Sequence, residues 1–472
     1  MASRKKNLLA RYRGKARVLL VLFGCLLAAI GFFAGVGWMA LALALGWVAR
    51  EVWFSDLQRY RSDADYVYRF DEQLGTLPVD FSEGRLRLAA DTIVNADDTL
   101  ILGITICSTW TGRLFDPAVM IEAEGKISDC QTFERGAKGV RYINLTGFAE
   151  ALQGEGVSLR GRHCRLQGSP RLWRAVHPDY RQKRLLIIAP HADDAELAAF
   201  GLYSQARESW IVTLTAGEVA AKYYQRMGLD KVEAARLKGR LRTWDSMTVP
   251  LWAGVPIERT VQLGYFCTQL SAMRQSPGEA VAAREASLAD TRFFRTLNRI
   301  KFESDRDGVP SWNNLVADLL EVLLLAKPEL IVLPHPRIDP HLDHVAASEA
   351  VREALAGLAW QPEALLHYAN HVRGTYRWPM GEAHSGVALP PLFEDVGTLV
   401  PWVLQLDRSR QIDKAMALGM MHDLTVPLSS RERRRRALQG VFARRRYSPY
   451  GPDDYFRRAV RRHELFWVER VP

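Results

Sequence analysis

The sequence predicts an α/β protein: a mostly parallel sheet with helices on both faces, preceded by a small β-rich domain and an N-terminal membrane helix or hairpin. Three observations predict it. No charged residue occurs in the 31 positions from Val18 to Val48. Short β-prone segments follow, separated by Gly-, Asp- and Asn-rich breaks. From Lys183 onward, apolar strands alternate with helical patterns.

The uncharged run exceeds the roughly 20 apolar residues needed to cross a bilayer as a helix. It is also longer than the apolar region of about 7 to 15 residues in a secretory signal. A retained membrane segment over 18–54 is expected, preceded by a basic cytoplasmic N-terminus over 1–17 that holds seven Lys and Arg residues. One tilted helix would place everything after Arg50 outside, by the positive-inside bias. A turn at Gly35 and Gly37 would instead form a short hairpin and return the chain to the cytoplasm. Both remain open, and with them the side on which the later domains lie. The expected location is a membrane, with this segment as the anchor.

A linker at 55–79 leads to the β-rich domain at 80–175. Thr99–Cys107, Val119–Glu122, Val140–Leu145 and Val157–Leu166 read as strands of a small sandwich or barrel. It reads as a spacer or packing module, with carbohydrate contact as the other reading. In the domain at 183–430, Leu185–Ala189, Trp210–Leu214 and Leu330–Leu333 read as strands. Ala195–Arg207, Asn314–Ala326 and His344–Ala356 read as helices.

A chain of 472 residues has room for two or three domains, and 48% hydrophobic with 25% charged residues is ordinary for packed cores. Much of the net charge of +10 sits near the ends. In the basic C-terminal extension at 431–472, Arg433–Arg436 and Arg444–Arg446 read either as a solvated helix face or as attraction to anionic membrane or phosphorylated substrate. No nucleic acid is expected as partner, because no helix-turn-helix, zinc-finger or stacking pattern accompanies the arginines. The five cysteines lack CxxC spacing, which excludes a zinc ribbon or a thioredoxin-like pair. A Cys107–Cys130 disulfide stays open.

In parallel sheets, reactive groups gather beyond the carboxyl ends of strands. Two motifs stand there. Pro190-His191-Ala192-Asp193-Asp194-Ala195-Glu196 follows LLIIA, and the run from His335 to His344 (HPRIDPHLDH) follows LIVLP. Four of the eleven histidines fall in these two segments. Converging carboxylates are costly to bury without a cation or a catalytic reason. His191 and Asp194, three apart, can face one side as strand passes into helix, and His344 can supply a third metal ligand. Asp193 is then free to act as general base on a water. The bland reading makes Asp193 or Asp194 a helix N-cap and the histidines a surface loop. The two motifs after two strands of one sheet favour the metal site. Without bridging carboxylates for a second metal, a phosphoesterase is disfavoured.

These residues resemble the PIG-L/LmbE superfamily of zinc-dependent N-acetylglucosamine de-N-acetylases. PHADDAE resembles its P-H-P-D-D-x-E, with Ala192 in place of proline, and His335 to His344 resembles its second histidine motif. Thr213 to Glu218 resembles T-x-T-x-G-E, Leu263-Gly264-Tyr265 resembles L-G-Y, and Tyr368 to His371 with Arg377-Trp378-Pro379 resembles a later region. The similarity runs from about Lys183 to Leu424. It implies a Rossmann-like, LmbE-like fold and, with the apolar segment, a bacterial member of the superfamily anchored in the inner (cytoplasmic) membrane.

By position, the resemblance implies that His191, Asp194 and His344 bind Zn2+ and that Asp193 is the base. His341 would stabilise the oxyanion, with Asp343 holding its imidazole. Arg242, with Asp245 three residues on, would contact substrate. Phe266 and Cys267 stand where relatives often carry a sugar-binding aspartate. The expected activity is a metal-dependent amidohydrolase removing N-acetyl groups from a lipid-linked or envelope glycan, such as lipopolysaccharide core or its precursor. The alternative is a catalytically inactive metal- or glycan-binding protein of the same fold.

Overall fold

A computed structural model describes residues 21–56 and 58–471. The basic stretch expected at 1–17 and the start of the apolar run at Val18 lie outside the described residues. The chain divides into two compact units, one of residues up to 57 with Ser429–Arg445, the other of Gln58–Leu428 with Arg446–Pro472.

The larger unit is mixed α/β with several sheets. Its main sheet is built from β1 (Arg184–Ala189), β2 (Glu208–Thr215), β3 (Thr260–Tyr265), β4 (Leu330–Pro334), β5 (Ala364–Tyr368), β6 (Pro401–Gln405) and β7 (His463–Arg470). The order across the sheet is β3-β2-β1-β4-β5-β7-β6. The first five strands run parallel, whereas β7 is antiparallel to both its neighbours. A strand segment buried on both faces must be apolar at every position, and Leu185–Ala189 (LLIIA) of β1 meets that demand. Leu185, Ile187 and Ala189 face one core and Leu186 and Ile188 the other. The first core receives α1 (Asp194–Tyr203), and the second receives α3 (Trp312–Ala326) and α4 (Leu342–Ala356). Between them in sequence lies α2 (Lys231–Thr248), started by a capping box of Asp230 and Glu233.

The sheet corrects one expected boundary. Residues 431–472 do not form a single C-terminal extension. Ser430–Ala443 is a helix of the smaller unit, whereas His463–Arg470 is an interior strand of the main sheet. Its two carboxylates meet distant cations: Glu464 binds Lys414 at 2.8 Å, and Glu469 binds Arg352 at 2.5 Å.

Ahead of this sheet lie two antiparallel sheets, of four strands including Thr99–Ser108 and Lys138–Asn144 and of five strands including Ala118–Ala123 and Val157–Arg162. Leu102, Ile104 and Ile143 from one meet Val119, Ile121 and Leu159 from the other in one core, as in a sandwich. A further core joins Ile101 and Tyr142 to Val403, Leu465 and Trp467, so this β-rich segment and the α/β layer share buried apolar surface. All five cysteines are free.

In the smaller unit, the apolar segment takes the hairpin form. Helices Val21–Ala34 and Val36–Trp53 meet at Gly35, whose φ of 92° an L-residue seldom adopts. Val36–Trp53 is long and apolar enough to cross a membrane by length and composition.

Candidate active site

The sheet order reverses between β1 and β4, and the crevice beyond their carboxyl ends is where such sheets collect ligands. Both motifs open there. The chain leaves β1 at Ala189, passes His191, and enters α1 at Asp194. It leaves β4 at Pro334 and enters α4 at Leu342, with His341 at the N-cap and His344 in the first turn.

His191 and Asp194 are nearly buried and His344 is fully buried. Asp194 Oδ2 lies 3.1 Å from His191 Nδ1 and 3.1 Å from His344 Nε2, and the two nitrogens are 3.3 Å apart. A tetrahedral cation held at about 2.0–2.1 Å by nitrogen and oxygen ligands needs ligand edges of about 3.3 Å. These three atoms fit it. Overlapping His/Asp groups, His191–His341–His344 and Asp194–His344–His371, could also hold a metal ion.

The charges point the same way. Asp194, Asp339 and Asp343 are buried, and imidazoles, amides and backbone N–H groups are their partners among the described residues, with no ammonium or guanidinium. Asp343 Oδ1 is buried with no hydrogen-bond partner among those residues. Burial raises the pKa of Asp194, but His344 and His191 hold it well below the usual carboxylate range. Burial disfavours a charged His344, yet Asp194 and Asp339 hold its pKa up at about 10. A cation would relieve this excess of buried negative charge.

Asp193 occupies the N-cap position of α1, but its side chain caps no backbone group. Instead Arg242 Nη2 donates to its Oδ1 at 2.8 Å, while Arg242 Nη1 donates to Asp423 at 2.6 Å. The N-cap reading of Asp193 therefore fails. Asp194 takes a local role as well, accepting the His191 backbone N–H at 3.0 Å. His341 accepts the Asp343 backbone N–H on Nδ1 at 3.3 Å. A neutral ring in that position carries its proton on Nε2. Burial, then His191 and His344, pushes its pKa down to about 4.

Two expectations are corrected by these contacts. The Asp343 carboxylate does not hold His341: Oδ2 meets His191 Nε2 at 3.2 Å and the Thr268 N–H at 2.6 Å. The turn into α4 sends the Asp343 side chain toward β1 and leaves only its backbone N–H for His341. Arg242 is not open to a ligand. It is nearly buried between two carboxylates, and Gly217 leaves no space beside it, since a Cβ there would stand 2.3 Å from Arg242 Nε. Asp245, three residues on, binds His422 Nδ1 at 2.6 Å rather than Arg242.

The sequence reading assigned no role to three further residues. Asp339 Oδ2 binds His344 Nδ1 at 2.9 Å, and Asn370 Nδ2 donates to Asp194 Oδ1 at 2.8 Å. His371 stacks on His341 with ring centroids 5.3 Å apart, and burial with His344 lowers its pKa to about 3. All three follow the ends of β4 or β5, so the strand-end rule could have found them. Cys267 joins His191 and Asp343 in a third buried cluster of potential ligands.

Residues 186–355 match the family model described as PIG-L, GlcNAc-PI de-N-acetylase, so this part of the chain carries a PIG-L domain. No curated protein matches the chain. Among solved structures, a deacetylase triple mutant of the teicoplanin biosynthetic pathway aligns at 18% identity over 61% of this chain and 98% of its own, with a TM-score of 0.31. A 4-carboxy-2-hydroxymuconate hydratase from Pseudomonas putida aligns at 14% identity over 55% of this chain and 84% of its own, with a TM-score of 0.31. A conserved protein from Thermus thermophilus aligns at 16% identity over 57% and 99%, with a TM-score of 0.28.

Proposed function

We propose that this chain, whose residues 186–355 carry a PIG-L domain, is a zinc-dependent hydrolase that removes acetyl groups from an N-acetylated sugar. The observation that carries the proposal is the triangle of His191 Nδ1, Asp194 Oδ2 and His344 Nε2, with Asp193 adjacent in sequence. Zinc held there would supply Lewis-acid polarisation and make a nearby water more acidic. The parallel part of the sheet acts as a Rossmann-like platform, with both motifs at its carboxyl edge.

The chain's own residues supply the rest. Asp193, oriented by Arg242, accepts a proton as water oxygen adds to the amide carbonyl carbon. The Nε2–H of His341 donates to the oxyanion that forms. On collapse the C–N bond breaks, the proton passes from Asp193 to the amine nitrogen, and acetic acid leaves, losing the second water proton to solvent as acetate. Asp339 and Asn370 orient His344 and Asp194. Arg242 acts in this scheme as a positioning residue rather than a direct substrate contact.

The apolar hairpin supports a membrane-associated enzyme and, with it, a lipid-linked or envelope glycan as substrate. The test is acetate release by the purified full chain from a panel of N-acetylated sugars and glycolipids. Release should stop with a chelator and return with zinc. Absence of acetate from every N-acetylated substrate, with zinc bound, would remove the proposal.

A further inference from the structure

The two apolar helices of the smaller unit lie against one another about Gly35. Gly46 faces Phe23 and Gly31 faces Met39, each pair nearly equidistant from Gly35 in sequence. A Cβ on Gly46 would stand 2.5 Å from the Phe23 ring, so glycine permits the close approach. The arms are therefore antiparallel, and the chain enters and leaves the hairpin at one end. Phe32 and Phe33 near the tip are each 84% exposed, and Leu22, Leu26, Trp38 and Leu45 are exposed along the arms. Apolar surface of this extent marks a contact with lipid or protein. At 1.5 Å per residue the arms measure about 20–27 Å, against a hydrocarbon core of about 30 Å.

The base of the hairpin is cationic. Helix Ser430–Ala443 packs on the end of Val36–Trp53, where buried Glu51 accepts from Arg435 Nε at 2.7 Å and Arg50 Nη1 at 2.6 Å. Gln439 Nε2 donates to the Glu51 carbonyl at 3.1 Å and to Ser55 Oγ at 3.0 Å. Trp47, Arg50, Glu51, Arg431, Arg434 and Arg435 line a cavity of about 150 Å³. Four guanidinium groups against one carboxylate leave it three positive charges. Arg431 stands 3.7 Å from Glu51, beyond direct hydrogen bonding. Guanidinium forks match phosphate oxygens, and tryptophan favours the headgroup level of a bilayer.

We propose that the hairpin enters the bilayer from one face only, and that the arginine cavity at its base holds the phosphate of an anionic phospholipid in that leaflet. Apolar arms continuous with a cationic base match the two layers of a leaflet in order, from acyl chains to headgroups. By the positive-inside bias that face is the cytoplasmic one. The inference rests on the reading of the apolar segment as membrane-embedded.

Two measurements test it on the full chain. Tags at both termini are probed with protease on sealed vesicles of known orientation. A one-sided hairpin leaves both tags cut or both protected. One tag cut and one protected overturns one-sided insertion, whereas recovery of the chain in the soluble fraction overturns the membrane reading itself. For the lipid, the protein is reconstituted into phosphatidylcholine vesicles holding a trace of spin-labelled phosphatidylglycerol or spin-labelled phosphatidylcholine. The motionally restricted share should be larger for phosphatidylglycerol. Arg431→Gln with Arg434→Gln, which spares the Arg435–Glu51 bond, should reduce that preference at least about threefold. Equal shares for the two lipids, or a preference that survives the double substitution, overturn the phospholipid assignment.

Discussion

Asp339 Oδ2 lies 2.9 Å from His344 Nδ1, and both side chains are fully excluded from water. The same carboxylate oxygen accepts the backbone N–H groups of Asn370 and His371, each at 3.0 Å. Asp339 is thereby fixed by the end of β5 while it orients a ring at the start of α4. With Nδ1 engaged, His344 presents Nε2 to Asp194 and His191.

Asp339→Asn is therefore expected to keep the fold and weaken metal binding by about 10–100-fold. Competition with a chelating dye measures this. An unchanged affinity would show that the carboxylate does not orient the ligand.

About one equivalent of zinc per chain is expected in the purified protein, and His191→Ala combined with His344→Ala should empty the site. Elemental analysis of folded protein decides it. Full occupancy in the double variant would assign the metal elsewhere.

Asp193→Asn should retain fold and zinc and lose about 10²–10⁴-fold in rate, read as acetate released at saturating substrate. Asparagine keeps the size of the side chain but cannot take the proton. Loss of zinc instead would mean that the two adjacent aspartates have exchanged roles.

Gly217 has φ of 67° and no space for a Cβ beside Arg242. Gly217→Ala should displace Arg242 from Asp193, lowering kcat while zinc content stays near the parent level. Parent-like kcat in a folded, zinc-loaded variant would exclude Arg242 as the group that positions the base.

Lys414 and Glu464 form an ion pair with both side chains about 1% exposed, and Glu464 also receives the N–H groups of Gly201 at 2.7 Å and Leu202 at 2.9 Å. Lys414→Met leaves that carboxylate buried without its cation. A loss of about 3–5 kcal/mol is expected in denaturant unfolding, because the remaining charge is uncompensated. A change below about 1 kcal/mol would mean that the pair is not what ties β7 to α1.

By itself the sequence determined what local pattern can carry. The apolar runs at Leu185–Ala189 and Leu330–Leu333 stated their strands, and the histidine and aspartate motifs after them stated where donors would gather. The uncharged run stated an apolar segment and left its shape open, since a Gly35 turn depends on Phe23 and Met39 finding Gly46 and Gly31. Only the tertiary structure decided which donor meets which. Asp343 adjoins His341 by two residues, yet its carboxylate reaches His191, 152 positions away, because the first turn of α4 sets the side-chain direction. The family resemblance makes Arg242 a substrate contact, whereas in the fold Asp193 and Asp423 close on it from two other elements. The strand His463–Arg470 was hidden for a related reason. A strand that carries Glu464 and Glu469 looks like polar surface until Lys414 and Arg352 neutralise it across the fold, and no local pattern records a charge satisfied from so far along the chain.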